Sequence, residues 1–138
     1  MVDELFVGIA RAPGGVSGRC VCVDGLGRPV QEFSLAWAPA RLRHVLLWFQ
    51  DDKRNQGLDV TVGVEAEDLD DEMAAVFAES PLLAKGVERG VVDGMFDCLR
   101  LKQRTVRSRA RCIAQLLLLA DYPPVSLKAK GASSLARW

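Results

Sequence analysis

Three extended segments at the start of the chain, separated by short glycine-rich turns, constrain the fold most. The segments are residues 5–12, 17–24 and 28–36, and the turns are Pro13-Gly14-Gly15 and Gly25-Leu26-Gly27. Connections this short join antiparallel neighbours, because a parallel pair needs a crossover of about a dozen residues or more. The first third of the chain is therefore predicted to form a three-stranded antiparallel meander.

The apolar spacing changes at Pro39, which can occupy the first turn of a helix because its missing N–H donor costs nothing there. Apolar residues then recur at the spacing of an amphipathic helix, at Leu42, Val45, Leu46 and Phe49. The polar residues 51–57 are predicted to end this helix. Residues 58–65 are compact and apolar, and they predict a central strand.

The second half of the chain is predicted to be mainly helical. We expect a helix over residues 69–80, a fifth strand over 87–93, and helical structure from Met95 to Pro123-Pro124 with a break near 103–105. The resulting order is βββαβαβα, an α/β arrangement in which helices cover a mixed sheet. This is the connectivity of the RNase H-like fold, which actin-type ATPase halves share.

Length and charge limit the domain organisation and the partners. The 138 residues fit one domain, predicted as 1–124, followed by a flexible tail, 125–138. Eighteen basic residues balance eighteen acidic ones, so the net charge gives no argument for nucleic acid or for an anionic membrane. Because no apolar run reaches the ~20 residues of a membrane span and the acidic start lacks a signal-peptide pattern, we expect a cytoplasmic protein without a membrane partner.

The cysteines and the single histidine offer no catalytic or metal-binding pattern. Cys20 and Cys22 are predicted to share one face of a strand, and Cys98 and Cys112 lie in helical segments. This spacing does not build the knuckles of a zinc site, so buried, reduced thiols are expected. His44 lies opposite the apolar stripe of the first helix and is predicted to be exposed.

Three short motifs carry a resemblance to a known family. They are Val7-Gly8-Ile9-Ala10, Val64-Glu65-Ala66-Glu67 and Thr105-Val106-Arg107-Ser108-Arg109-Ala110-Arg111. Together they resemble the N-terminal RuvC-like domain of the DEDD transposases, the insertion-sequence recombinases related to the pilin-inversion enzyme. In that family the first strand reads like Val-Gly-Ile-Asp and the late helix like Thr-Asp-Arg-x-Asp-Ala-Arg.

The resemblance implies a two-metal nuclease site from which most carboxylates are missing. Glu65 matches a retained acid, whereas Ala10, Val106 and Arg109 stand where the family has aspartates. A methyl group cannot bridge metal ions, and an arginine places a fixed cation where an ion would sit. The chain is therefore expected to hold no metal or other cofactor and to be a catalytically degenerate binding domain.

An active magnesium-dependent nuclease built from displaced acids is the alternative. Glu65 together with Glu67, Asp68 or Asp97 would then hold the metal. The acids between residues 65 and 72 also have a simpler interpretation, because strand ends and the first turns of helices attract carboxylates.

Arginines near the end of the chain recur at helical spacing. They are Arg100, Arg104, Arg107 and Arg111. If residues 99–120 form one continuous helix, these side chains make a single basic stripe that could follow the phosphates of DNA or structured RNA. The other interpretation is a solvated face paired with acids such as Asp93 and Asp97.

The aromatic residues around the first helix leave a protein-binding role open. Trp37, Trp48 and Phe49 flank this helix, and core packing accounts for them. If they form an exposed apolar surface instead, a homodimer or another protein partner is expected, and the chain would be a structural module of an assembly.

Overall fold

The computed structural model describes residues 3–99 and 104–125. Its strands are β1 (Glu4–Arg11), β2 (Ser17–Asp24), β3 (Pro29–Ala36), β4 (Asp59–Glu65) and β5 (Leu83–Val87). Its helices are α1 (Pro39–Gln56), α2 (Asp71–Glu79), α3 (Arg89–Leu99) and α4 (Val106–Leu119), and a 3-10 turn at Ala66–Asp68 lies between β4 and α2.

The five strands form one mixed sheet in the order β3-β2-β1-β4-β5. β1, β2 and β3 pair antiparallel, which confirms the predicted meander. β1 pairs parallel with β4, and β4 pairs parallel with β5. With helices on its faces, the chain has the predicted α/β fold with an RNase H-like mixed sheet.

Alternating residues of the central strands enter two separate apolar cores. Val7 and Ile9 of β1 pack on the face covered by α1 and α2. Ala10 packs on the opposite face with α3 and α4. Cys20 and Cys22 of β2 both lie in the first core, as the strand period of two predicted.

Two glycines let α4 lie directly on the centre of the sheet. Gly8 of β1 and Gly63 of β4 are neighbours in the parallel register. A Cβ atom at Gly8 would overlap the carbonyl oxygen of Ala110 and lie 2.7 Å from the nitrogen of Ala114. Because the helix backbone touches the strand here, the first turns of α4 are held over the carboxyl ends of β1 and β4.

The first helix is longer than predicted. Polar residues 51–57 were expected to end it, but α1 continues to Gln56 and ends at Gly57 in the left-handed conformation. Lysine, arginine and glutamine are good helix formers, and Lys53 and Arg54 suit the negative end of a helix, so a polar sequence here extends the helix into solvent. Within the described parts of the chain, no helix has both the length and the hydropathy of a membrane span.

The predicted fifth strand over residues 87–93 is wrong. The strand is β5, which ends at Val87, and α3 begins at Arg89. Val92 and Phe96 are both buried against α4, and their i, i+4 spacing is that of one face of a helix, not of a strand. The predicted break before the last helix is confirmed, because residues 104 and 105 are not helical.

Three of the four cysteines are buried and one is not. Cys20, Cys22 and Cys112 are buried as expected, and burial is the main cause that raises the pKa of the Cys20 and Cys112 thiols. Cys98 is exposed on α3, so the prediction that it would be buried is wrong. His44 is exposed on α1, as predicted.

The segment after α4 returns to the sheet beside β5. The backbone nitrogen of Gly86 donates to the carbonyl of Pro123 at 2.9 Å, and that of Val125 donates to Ala84 at 2.9 Å. Val125 also packs against the first core. Residues 126–138, which make up nearly all of the predicted flexible tail, lie outside the described residues.

Candidate functional site

The candidate site lies at the edge of the sheet where β1 and β4 end. The two strands are parallel neighbours, so Arg11 at the end of β1 and Glu65 at the end of β4 reach the same edge. Arg109, in the first turns of α4, contacts Glu65 there. Ligands of open α/β sheets bind at the carboxyl ends of the strands, which makes this edge the natural position for a binding site.

Glu65 is fully buried and is held by two arginines. Its Oε2 accepts from Nε of Arg89 at 2.7 Å, and its Oε1 accepts from Nη1 of Arg109 at 2.8 Å. A buried carboxylate without partners would be strongly destabilising, so these two contacts are what allows the charge to stay inside the protein. Both carboxylate oxygens are occupied by guanidinium donors.

The pairing continues outward from Glu65 in both directions. Arg109 also donates to Asp93 at 3.0 Å, and Arg89 also pairs with Asp68. Arg104 pairs with Asp97 and lies 3.8 Å from Asp93. We refer to these residues as the ionic cluster, which comprises Glu65, Asp68, Arg89, Asp93, Asp97, Arg104 and Arg109. The aromatic ring of Phe96 lies beneath Arg104 and Arg109, with guanidinium carbons 5.3 and 5.4 Å from its centroid.

Short capping interactions place the charged side chains. Both carboxylate oxygens of Glu67 accept from the backbone nitrogen of Arg89, at 2.9 and 3.1 Å, so Glu67 neutralises the positive end of α3. Asp70 caps α2 by accepting from the nitrogen of Met73. Thr105 caps α4 by accepting from the nitrogen of Ser108. The acids at 67 and 70 are therefore helix-capping residues, which agrees with the simpler of the two interpretations of this acidic segment.

The protonation equilibria follow the burial and the pairing. Burial, followed by repulsion from Glu65, raises the pKa of Asp68, although Arg89 opposes the change. The hydrogen bond to Glu65 is the main cause that raises the pKa of Arg89. Burial works against the charge of Arg109, but its hydrogen bonds to Glu65 and Asp93 raise its pKa overall. Both arginines remain charged, so the cluster is a set of fixed cations around a buried anion.

The residues at this edge do not fit a pair of magnesium ions. Ala10 is fully buried in the apolar core beneath α4, and Val106 is half-buried and lines the site. Arg109 of α4 donates to Glu65 and to Asp93, so its guanidinium occupies the space between α4 and these carboxylates. A hard cation needs carboxylate oxygens, and each oxygen of Glu65 already accepts from an arginine whose positive charge would repel the ion. Within residues 3–99 and 104–125, no group of three or more metal-ligating side chains that could hold an ion occurs.

The displaced acids considered as alternative ligands are also engaged elsewhere. Glu67 is bound to the start of α3, Asp68 is bound to Arg89, and Asp97 is bound to Arg104. Each carboxylate faces a donor rather than a shared empty space. A two-metal site would require several of these contacts to break together.

An open cavity of about 530 Å³ lies in front of the ionic cluster. The turn between β1 and β2 forms one side of it, and residues from α3 and α4 form the other. Four arginines line the cavity, at Arg11, Arg89, Arg104 and Arg109. The carboxylates of Glu65 and Asp68 line it as well. The site is thus a polar recess with more guanidinium groups than acids in its wall.

The predicted arginine stripe is not continuous. The stripe depends on one continuous helix over residues 99–120. The chain forms two helices instead, since α3 ends at Leu99 and α4 begins at Val106. Arg104 belongs to the ionic cluster, and Arg107 donates to Glu32 of β3 at 2.7 Å. Arg111 is exposed on α4, and Arg100 lies outside the described residues. The charge therefore concentrates at the start of α4 instead of running along its length.

Two residues of this candidate site, Arg11 and Arg89, were not predicted. Arg89 lay in a segment interpreted as a strand, and Arg11 was interpreted only as part of the first strand. The signal for Arg11 was its position at the carboxyl end of a central strand, next to a glycine-rich turn. Arg89 meets Glu65 across 24 positions in the sequence, so only the sheet arrangement brings them together.

No protein-family model matches the chain, and no curated protein matches it.

Proposed function

We propose that the chain is a catalytically inactive RuvC-like domain, derived from a DEDD transposase, that binds nucleic acid without a metal ion. The observation that carries the proposal is the pair of arginines on Glu65, at 2.7 and 2.8 Å. Arg89 and Arg109 supply fixed positive charge at the edge where a two-metal nuclease holds its ions. Such charge can attract phosphate but cannot activate a water molecule.

The nucleic acid would contact the arginine surface at the start of α4. We define this surface as Arg107 and Arg111, one turn apart on α4, together with Arg104, which lies just before the helix. The side chains of Arg104 and Arg107 are 43% and 63% exposed although each has an acidic partner, so donors remain accessible to solvent. A guanidinium has five N–H donors, and an exposed carboxylate partner is easily exchanged for a phosphate.

Direct binding measurements test this proposal. Fluorescence anisotropy with labelled duplex DNA and structured RNA, at low and moderate salt, should show affinity that falls steeply with salt. In the double variant Arg107→Ala/Arg111→Ala, the salt slope should fall by about one for each arginine removed. Arg43→Ala is the matched control, because Arg43 is exposed on α1 at the other face of the sheet. Absence of salt-dependent binding by the unaltered chain would overturn the proposal.

A cleavage assay tests the inactive part separately. Branched and duplex DNA incubated with magnesium or manganese should remain intact with the unaltered chain and with Glu65→Gln alike. Cleavage that is lost in Glu65→Gln would instead favour the active nuclease in which Glu65 acts with Glu67, Asp68 or Asp97. Circular dichroism of Glu65→Gln establishes that any loss does not come from unfolding.

A protein-binding module is the second candidate, and one surface favours it. Leu47 and Trp48 of α1 are 52% and 41% exposed. Trp48 stacks edge-on against Phe33 of β3 with centroids 5.6 Å apart, so the two elements present one apolar surface. Multi-angle light scattering over a range of concentrations tests it, since a homodimer or larger assembly should appear and should be lost in Trp48→Glu.

A further inference from the structure

The wall of the cavity at the end of β1 and β4 carries an excess of positive charge. Of the described residues, four arginines and two carboxylates line it, which leaves two more cations than anions. Asp93 and Asp97 pair with Arg109 and Arg104 but are not among the lining residues. A ligand in the cavity therefore meets the four guanidinium groups together with the carboxylates of Glu65 and Asp68, whereas Asp93 and Asp97 do not face it.

Arg11 differs from the other three arginines of the wall. Within the described residues it forms no ion pair, and its only hydrogen bond is a long one, 3.4 Å, to the carbonyl of Gly15. Its guanidinium carbon lies 6.0 Å from the ring centroid of Trp37, which holds the side chain by a weak cation–π contact. Arg11 thus keeps most of its donors free while its position is still defined.

The turn after β1 is shaped to keep Arg11 in place and the cavity open. Gly14 and Gly15 have φ values of 92° and 76°, which other residues rarely adopt. A Cβ atom at Gly15 would overlap Nη2 of Arg11, whereas a Cβ atom at Gly14 would meet nothing within 4 Å. Glycine at position 15 therefore lets the guanidinium lie against the turn, and the space beside Gly14 stays open.

We propose that this cavity binds the phosphate group of a nucleotide-sized ligand, with Arg11 as the main donor and Arg89 and Arg104 beside it. Guanidinium groups match the oxygens of a phosphate and can bind them in pairs. The volume lies within the roughly 300–1,000 Å³ typical of small-molecule sites, so an organic group attached to the phosphate also fits. Since the guanidiniums supply the positive charge, binding needs no metal ion.

The site deepens the proposed nucleic-acid function, and it rests on that function only for the source of the phosphate. The phosphate could belong to the end of a nucleic-acid strand or to a free nucleotide. The remaining lining residues around the arginines are small or aliphatic, such as Ala12, Pro13 and Val106. Among the residues that the structure describes, no aromatic ring lines the cavity to stack on a base, so recognition falls on the phosphate.

Calorimetric titration of the full chain with inorganic phosphate, pyrophosphate and a nucleoside monophosphate tests the proposal. Saturable binding is expected, unchanged by a metal chelator and weakened about tenfold or more in Arg11→Gln, the loss of one charge-assisted hydrogen bond. Arg28→Gln is the matched control, because Arg28 pairs with Asp24 at the far end of β2. Absence of saturation with all three probes, or equal binding by Arg11→Gln and the unaltered chain, would overturn it.

A second arm identifies the source of the phosphate. Oligonucleotides with and without a terminal phosphate are compared on the unaltered chain and on Arg11→Gln. Preference for the phosphorylated strand that disappears in Arg11→Gln supports a strand end, and tighter binding of the free monophosphate supports a nucleotide. Duplex binding that depends on Arg107 and Arg111 without any phosphate binding would overturn this inference and leave the proposed function intact. Phosphate binding without any nucleic-acid binding would overturn the proposed function and leave this inference intact.

Discussion

The two halves of α4 meet the same pair of strands in opposite ways. From Ala110 onward, the helix lies so close to the sheet that its backbone touches Gly8, and the side chains of Ile113 and Leu117 lie against Gly63. The first half carries Arg109, which enters a chain of ion pairs around the buried Glu65. The first contact depends on shape and the second on charge, so the two halves should respond to different kinds of substitution.

The difference also separates stability from function. Close packing without side-chain space leaves no room for a ligand, and it serves to fix the helix on the sheet. The ionic half keeps an open cavity of about 530 Å³ beside it. The glycines therefore position the site, and the arginines give it its chemistry.

The largest expected effect is at the glycine contact. Gly8→Ala should lower the free energy of unfolding by about 3 kcal/mol, because the new methyl group forces α4 away from the sheet. Gly94→Ala is the control, since Gly94 is an exposed helical position with nothing within 4 Å of a new Cβ atom, and it should gain about 1 kcal/mol. Urea unfolding measures both. Equal midpoints for Gly8→Ala and the unaltered chain would show that the helix is not held this closely.

The second effect tests which member of the Glu65–Arg109 pair is the buried charge, because removing its partner should then cost more than removing the charge itself. Arg109→Met leaves the buried Glu65 with one partner and should cost about 2 kcal/mol. Glu65→Gln should cost less, about 1 kcal/mol, because the side chains of Arg89 and Arg109 are 46% and 20% exposed and can turn to water. Arg107→Met, which breaks an exposed pair with Glu32, should stay below about 1 kcal/mol. A reversed order of the first two values in urea unfolding would contradict the account of Glu65 as the buried charge.

Sequence patterns predicted the fold better than they predicted the site. The meander followed from short glycine turns, and the shared face of Cys20 and Cys22 followed from alternation, since both are local rules. The segment after β5 was misread because its valines favour a strand locally. Glu67 binds the backbone of Arg89 from another element, and that long-range contact favours a helix there.

The site itself depends on contacts that sequence spacing cannot supply. Arg109 contacts Glu65 at the edge where β1 and β4 end, and the absence of a carboxylate at positions 10 and 109 can be read directly from the sequence. Arg11 and Arg89 were missed, because neither position belongs to a motif. Arg89 meets Glu65 across 24 positions, and the hydrogen bond from Arg11 to the nearby Gly15 does not mark it as a site residue. The register of the sheet and the positions of α3 and α4 bring Arg89 and Arg109 to Glu65.

A smaller effect on stability is expected at the N-cap of α4, which precedes Arg109. Thr105 caps the helix by accepting from the nitrogen of Ser108 at 3.1 Å. Thr105→Ala should cost about 1 kcal/mol, whereas Thr105→Ser should cost little because it keeps the hydroxyl group. Thermal unfolding monitored by circular dichroism measures the difference. If the two variants melt together, the cap does not contribute to positioning Arg109.

The smallest effect is a contrast in pH dependence between the two ends of the sheet. The pKa of Asp68 is raised above the ordinary 3.8, chiefly by burial, so its contribution is present at low pH and is lost as the pH rises through the raised value. The pKa of Asp24 is lowered, first by the backbone hydrogen bond from Arg28, so its contribution is present above 3.8 and is lost as the pH falls through the lowered value.

Urea unfolding of Asp68→Asn and Asp24→Asn across the acidic range checks this contrast. Relative to Asp68→Asn, the unaltered chain should lose stability as the pH rises above 3.8, the ordinary value. Relative to Asp24→Asn, it should gain stability as the pH rises toward 3.8 from below. The same sign of pH dependence for both variants would mean that the two carboxyl groups have similar surroundings.

The central claim is that arginine donors fill the place where a two-metal nuclease holds its ions. Calorimetric titration of the unaltered chain and of Glu65→Gln with manganese tests it most directly. The account predicts no saturable heat that depends on Glu65, because both carboxylate oxygens accept from Arg89 and Arg109. Stoichiometric manganese binding by the unaltered chain that disappears in Glu65→Gln would contradict it.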